Sequence, residues 1–255
     1  NSGANWVQIS GGAGWLIKKL WFADSLNGYA VGGLHQLFMT EDQYGKVVLK
    51  TTNGGMNWSA VFQLILIPGS DMEITDLSFI NISTGWVTGR DGAVLKTTNG
   101  GTNFTSYYPS PLFRKTSLSF VNEQRGWTAG DSGRTAYSTN GGTNWVTLDK
   151  LTNSHLKSIT FINQFTGYVC GNNGVMFKST NSGLNWSSSV TGVSSNLNSL
   201  HFLNADTGWA AGSNIIIKTT NGGMNWSVQH TPAAALSSIK FFNKDIGWAS
   251  GGNNI

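Results

Sequence analysis

The chain has a single cysteine, Cys170, so it cannot close an internal disulfide, and it contains no CxxC or Cys/His cluster of the spacing that holds zinc. Proline is scarce, at four residues, and Asp, Glu, Lys and Arg make up only 11% of the sequence. That low charge, with 39% hydrophobic and 12% aromatic residues, excludes a disordered chain and supplies ample core material. The net charge of +4 comes from sixteen Lys and Arg scattered along the chain, so no basic run offers itself to nucleic acid or to an anionic membrane surface. No apolar stretch is long enough to cross a bilayer, and the longest, Phe62 to Pro68, is interrupted by a glutamine. What is abundant is glycine, with 33 residues among many Asn, Ser and Thr, the composition of short strands joined by tight turns. At 255 residues such an all-β chain is expected to form one domain.

The sequence repeats. Asn-(Gly/Ser)-Gly-x-Asn-(Trp/Phe) begins at Asn53, Asn99, Asn140, Asn181 and Asn221, with a related Asn1 to Trp6 segment, and most copies lie about forty residues apart. Gly-(Trp/Tyr)-x-x-Gly begins at Gly28, Gly85, Gly126, Gly167, Gly208 and Gly247, in strict alternation with the first motif. A module of about forty residues is the period of a four-stranded propeller blade. Within a unit, alternating segments such as Leu77-Ser78-Phe79 read as a first strand and Gly85-Trp86-Val87-Thr88-Gly89 as a second. A third strand such as Ala93 to Thr97 is joined to a fourth by Asn-Gly-Gly, which suits a hairpin. The fold expected is an all-β β-propeller of about six four-stranded blades, with a seventh left open. Its repeats lie near 16–58, 74–104, 115–145, 156–186, 197–226 and 236–255, and residues 1–10 supply the last strand of the closing blade by pairing with the C-terminal half-blade.

All tryptophans but Trp15 and Trp21 fall in the two motifs. An aromatic returning at a fixed phase is expected to pack between blades, which gives a structural role to Trp6, Trp58, Phe104, Trp145, Trp186 and Trp226 and to Trp86, Trp127, Trp209 and Trp248.

The segment Thr51-Thr52-Asn53-Gly54-Gly55-Met56-Asn57-Trp58 and its four later copies resemble the Asp-box, Ser/Thr-x-Asp-x-Gly-x-Thr-Trp, with Asn in place of Asp. Asp-box repeats are shared by sialidases, sortilin-type receptors, some large glucanases and the photosystem II assembly/stability factor family. The combination of Gly-Trp-x-x-Gly with Lys-Thr-Thr-Asn-Gly-Gly most resembles that last family and its bacterial relatives. The resemblance implies a propeller with a protein partner and a periplasmic, lumenal or extracellular location. The expectation is therefore a secreted, periplasmic or cell-surface protein.

Two insertions depart from the repeat, one between Gly33 and Lys46 and one between Trp58 and Ile74, and both are expected to be loops on the face opposite the Asp-boxes. They contribute Tyr44 and Asp71 to a candidate binding surface. Its other members are Trp15, placed in an opening connection, and Tyr107, Tyr108, Phe113 and Arg114 in the connection from Phe104 to Leu118. Aromatics off the packing register beside cations suit a protein anchor or a sugar ring.

Enzyme readings have less to stand on. Nine Asp and three Glu are few, and Asp91 and Asp131 align with Asn172 and Ser213, as turn residues whose carboxylate is replaceable. A sialidase needs three arginines from separate blades, whereas Arg90, Arg114, Arg125 and Arg134 cluster in the second and third units. His35, His155, His201 and His230 occupy different phases, so no metal site is expected, and Cys170 aligns with small packing residues. The reading is a non-catalytic scaffold, without cofactor, that binds a protein or glycan through its loop face. The alternative is a glycoside hydrolase or sialidase-like enzyme. A monomer is expected, with a strand-exchanged assembly as the other arrangement.

Overall fold

A computed structural model describes residues 15–38, 41–66, 74–109 and 112–252. The chain divides into two compact units, Asn1–Tyr107 and Tyr108–Ile255. In the first unit, β1 (Trp15–Phe22), β2 (Gly28–Phe38), β3 (Glu41–Thr51) and β4 (Ser59–Leu66) form one antiparallel sheet. The second sheet follows as β5 (Ile74–Phe79), β6 (Gly85–Gly89), β7 (Val94–Thr97) and β8 (Thr105–Tyr107).

The second unit continues the same meander. Its first sheet is β9 (Lys115–Phe120), β10 (Gly126–Gly130), β11 (Thr135–Ser138) and β12 (Val146–Thr147), and its second is β13 (Leu156–Phe161), β14 (Gly167–Gly171), β15 (Met176–Ser179) and β16 (Ser187–Ser188). A third sheet comprises β17 (Leu197–Phe202), β18 (Gly208–Gly212), β19 (Ile215–Thr219) and β20 (Ser227–His230), and β21 (Leu236–Phe241) pairs with β22 (Gly247–Gly251). Among the described residues there are thus five four-stranded sheets and one of two strands. Residues 1–10, Trp6 and the expected pairing of the N-terminal strand lie outside the described residues.

Each motif has a physical reason. In the Asp-box turn at Thr51 the hydroxyl donates to Asn53 Oδ1 (3.0 Å) and accepts from Gly55 N–H (2.9 Å), while Asn57 N–H donates to Asn53 Oδ1 (2.9 Å). The turns at Thr97, Ser138, Ser179 and Thr219 repeat this arrangement. Asparagine replaces aspartate here at no cost, because only its acceptor oxygen is used.

In Gly-(Trp/Tyr)-x-x-Gly both glycines answer close approaches. A Cβ on Gly126 would lie 2.3 Å from the Phe120 ring, and one on Gly130 would lie 1.9 Å from the Arg114 carbonyl oxygen. The aromatic between them reaches the neighbouring sheet. Tyr29 stacks on Phe79 (4.1 Å between centroids), Trp127 on Phe161 (3.6 Å), Tyr168 on Phe202 (3.9 Å) and Trp209 on Phe241 (3.7 Å). A fourth-strand tryptophan walls each slot in the second unit, as Trp186 meets Phe161 edge-on at 5.7 Å and Trp226 meets Phe202 at 6.0 Å. Trp145 meets Phe120 in the same way at 5.9 Å.

Serine hydroxyls tie adjacent first strands in the second unit. Ser117 accepts from Ile159 N–H, Ser158 from Leu200 N–H and Ser199 from Ile239 N–H, at 3.1 to 3.2 Å. These are buried polar groups satisfied across a sheet boundary, so the first strands align in register.

One packing expectation fails. Trp86, Trp127 and Trp209 are buried, but Trp248 is 38% exposed, because β22 belongs to the two-stranded sheet and no described strand covers its ring. For a buried member, Trp209→Ala is expected to cost about 3–5 kcal/mol. Denaturant unfolding measures this, and an unchanged midpoint would contradict the stacking role.

Candidate functional site

The two insertions are not loose loops. The first extends β2 and β3 into an eleven-residue hairpin whose ladder runs from Gly28↔Thr51 to Phe38↔Glu41. The start of the second prolongs β4, so that Tyr44 lies opposite both His35 on β2 and Leu66 on β4. The expected adjacency of the insertions therefore arises through backbone pairing within one sheet. Trp15 is likewise a strand residue, the first of β1 and opposite Leu34, and not part of a connection. Asp71 lies outside the described residues.

The proposed surface divides between the units. In the first, Tyr107 is the last residue of β8, opposite Val94, and is half-buried, so it is in strand register and not off it. In the second, Tyr108 is 65% exposed, Leu112 is 60% exposed and Arg114 is exposed, but Phe113 is only 8% exposed. Phe113 is thus corrected from a contact residue to an anchor. The buried Lys115 ammonium lies 4.3 Å from its ring centroid and donates to its carbonyl at 3.2 Å. The Arg114 carbonyl accepts from Asp131 N–H (3.0 Å) and fits against Gly130, where no side chain would leave it room. A buried Phe113 and an immobilised backbone at Arg114 present Leu112 and the Arg114 side chain on a fixed support.

Beside this segment the turns after the second strands carry polar groups. Asp131 pairs with His155 Nδ1 at 3.1 Å, and Ser132 N–H also approaches that nitrogen at 3.4 Å. Next along, Asn173 donates to Ser154 Oγ (3.1 Å) and its N–H to Asn196 Oδ1 (2.9 Å). Each turn is therefore locked to the following connection, making a polar rim at the loop end of the second unit. Sequence comparison between repeats missed His155 and Leu112, since neither recurs at its phase.

It also undervalued Asp91. Alignment with Asn172 and Ser213 suggested a replaceable turn residue, yet its carboxylate pairs with the Lys46 ammonium, which is almost fully buried on β3. The partner comes from another sheet and is invisible to alignment of the turn alone. Among the described residues no three His, Cys, Asp or Glu side chains gather as metal ligands, and no helix is long and apolar enough to cross a membrane.

Two titrations are shifted by packing. Burial first, and Asp206 second, push the Tyr168 phenol up to about 12, so it stays a donor to the Gly222 carbonyl at 2.9 Å. Burial first, then the positive Lys240, hold His201 down to about 4, against the acceptor at the Phe241 carbonyl (2.9 Å).

The sequence pattern of a family described as "Photosynthesis system II assembly factor YCF48" matches residues 62–192, just over half of the chain. Among solved structures, "YCF48 bound to D1 peptide" is 17% identical with a TM-score of 0.65, covering 95% of this chain and 90% of that one. YCF48 from Cyanidioschyzon merolae is 16% identical with a TM-score of 0.63, covering 93% and 95%. "Structure of U3-55K" reaches a TM-score of 0.65 at 9% identity, covering 90% of this chain and 74% of that one. No curated protein sequence matches the chain. At these identities the structures establish the fold, a β-propeller. The family match corrects the expected location: an assembly factor of photosystem II serves a photosynthetic complex, and nothing in that description marks a secreted, periplasmic or cell-surface protein.

Two outcomes are expected from the electrostatics. Asp91→Ala strands the buried Lys46 ammonium and should cost about 3–5 kcal/mol, read as a lower unfolding midpoint. His201 has a folded pKa below its unfolded value near 6.5, so the unfolded chain binds the extra proton and stability is lost as pH falls from about 6.5 toward 4. His201→Gln should flatten that part of the stability profile, measured by urea unfolding at stepped pH.

Proposed function

The chain belongs to the family of the photosynthesis system II assembly factor YCF48, and from that membership we propose that it is a non-catalytic propeller that holds a segment of a client protein during assembly. The observation that carries the reading is the fixed presentation of Leu112 and Arg114 around the buried Phe113, with exposed Tyr108 in the same unit. An exposed aromatic, an aliphatic side chain and a guanidinium on a rigid support are the anchors a peptide needs, because little side-chain or loop ordering remains to oppose binding. Arg114 suits a carboxylate of the client, to which a guanidinium donates two parallel hydrogen bonds. The YCF48 structure with a D1 peptide supports a polypeptide ligand over a glycan. So does the burial of Phe113 and half-burial of Tyr107, which leave Tyr108 as the one exposed ring of the three, too few for stacking along a sugar chain.

Titration calorimetry with a D1-derived peptide and a scrambled control tests the proposal. Tyr108→Ala and Arg114→Ala should each weaken binding by about 2 kcal/mol without lowering the melting temperature. Equal affinity for the scrambled peptide, or full affinity in both variants, would refute it.

A further inference from the structure

The first sheet carries a slot for an aromatic side chain. It is a cavity of about 340 Å³ lined by Ile17, Leu20, Phe22, Gly54, Gly55 and Trp58, among others, over a floor of buried Ala30 and Leu49. Its walls repeat those of the slots already described. Phe22 meets Trp58 edge-on at 5.9 Å, as Phe161 meets Trp186 and Phe202 meets Trp226. Gly54 and Gly55 stand where Ser182 and Gly183, or Gly222 and Gly223, stand in the second unit.

In those two slots the occupant is known. Trp127 stacks on Phe161 and donates its indole N–H to the Ser182 carbonyl at 2.7 Å, and a Cβ on Gly183 would lie 2.8 Å from the indole. Tyr168 stacks on Phe202 and donates to the Gly222 carbonyl. The slot at Phe22 therefore fits a flat ring with a donor at its rim, with the Gly54 carbonyl as acceptor.

Exposure shows that the chain alone does not cover it. Leu20 is 59% exposed, whereas its counterparts Leu77, Leu118, Ile159, Leu200 and Ile239 are at most 8% exposed. Phe22 is 41% exposed, against at most 8% for Phe79, Phe120, Phe161 and Phe202.

One side chain of the required kind is uncovered as well. Trp248 stands at the phase of Trp127, Tyr168 and Trp209, on a β22 whose residues are mostly exposed, with exposed Ile246 and Phe242 nearby. We propose that Trp248 of a second copy of this chain enters the slot of the first, stacking on Phe22 with its indole N–H on the Gly54 carbonyl. The contact is heterologous, each copy offering one slot and one tryptophan, so it builds open or closed assemblies of copies and does not stop at a two-fold dimer by its own symmetry. This departs from the monomer expected from the sequence and is independent of the peptide surface in the second unit.

Sedimentation velocity of the full chain across a concentration series tests it, using Trp248→Ala to remove the ring and Leu20→Arg to block the slot. Both positions are exposed, so both variants should keep the wild-type circular dichroism and melting curve. The wild type is expected to associate with rising concentration and each variant alone to remain monomeric. An equimolar mixture of the two restores one good contact, between intact Trp248 of the Leu20→Arg chain and the intact slot of the Trp248→Ala chain, and should sediment as a dimer only. A wild type that stays monomeric throughout, association that survives Trp248→Ala, or a mixture that remains monomeric overturns the proposal.

Discussion

The contact on which the sheets depend is an aromatic ring handed from one sheet to the next. A second-strand Trp or Tyr lies flat on the phenylalanine that ends the first strand of its neighbour, within 3.6 to 4.1 Å and nearly parallel. That geometry dictates the composition around it. The glycine opening each second strand is required because its own sheet's phenylalanine crosses it, and the hairpin Gly-Gly or Ser-Gly is required because the incoming ring rests there. Stacked and edge-on aromatic pairs contribute beyond their buried area. A chain with 11% charged residues and no disulfide can therefore hold short strands together.

The same contact explains why the repeat tolerates so much variation elsewhere. Between rings, the first strands are tied by serine hydroxyls to the next strand's amides, and the turns are closed by a hydroxyl and an asparagine oxygen. These are local bonds with local partners, so connections on the loop end are free to carry individual residues. Arg114, His155 and Asp131 are such residues, set on turns whose backbone bonds stay unchanged. A binding surface of this kind changes from one family member to another without disturbing the ring contacts, since fold and site rest on different residues.

Burial of charge follows the same separation. Lys46 and Lys115 are both nearly inaccessible, one answered by Asp91 and the other placed over the Phe113 ring. Each substitutes for a small or apolar residue of the repeat, and each fixes a segment near the loop end. Lys46 holds the long hairpin of the first sheet to the second, and Lys115 holds the segment that presents Arg114.

The sequence by itself determined the all-β repeat, the strand order within each sheet and the roles of the two motifs, because turn chemistry and ring spacing act over a few residues and recur at one phase. It also determined that Trp127 and Trp209 are packing residues. Only the tertiary structure decided that the first insertion extends a ladder, that Phe113 is buried while Leu112 and Arg114 face outward, and that Asp91 answers Lys46. Those outcomes depend on partners distant in the chain, and a repeat alignment compares equivalent positions within units and not neighbours across them. Trp248 marks the boundary most clearly: its motif is the same as that of Trp209, but whether the ring is buried depends on the presence of a neighbouring slot, which no residue of the motif encodes.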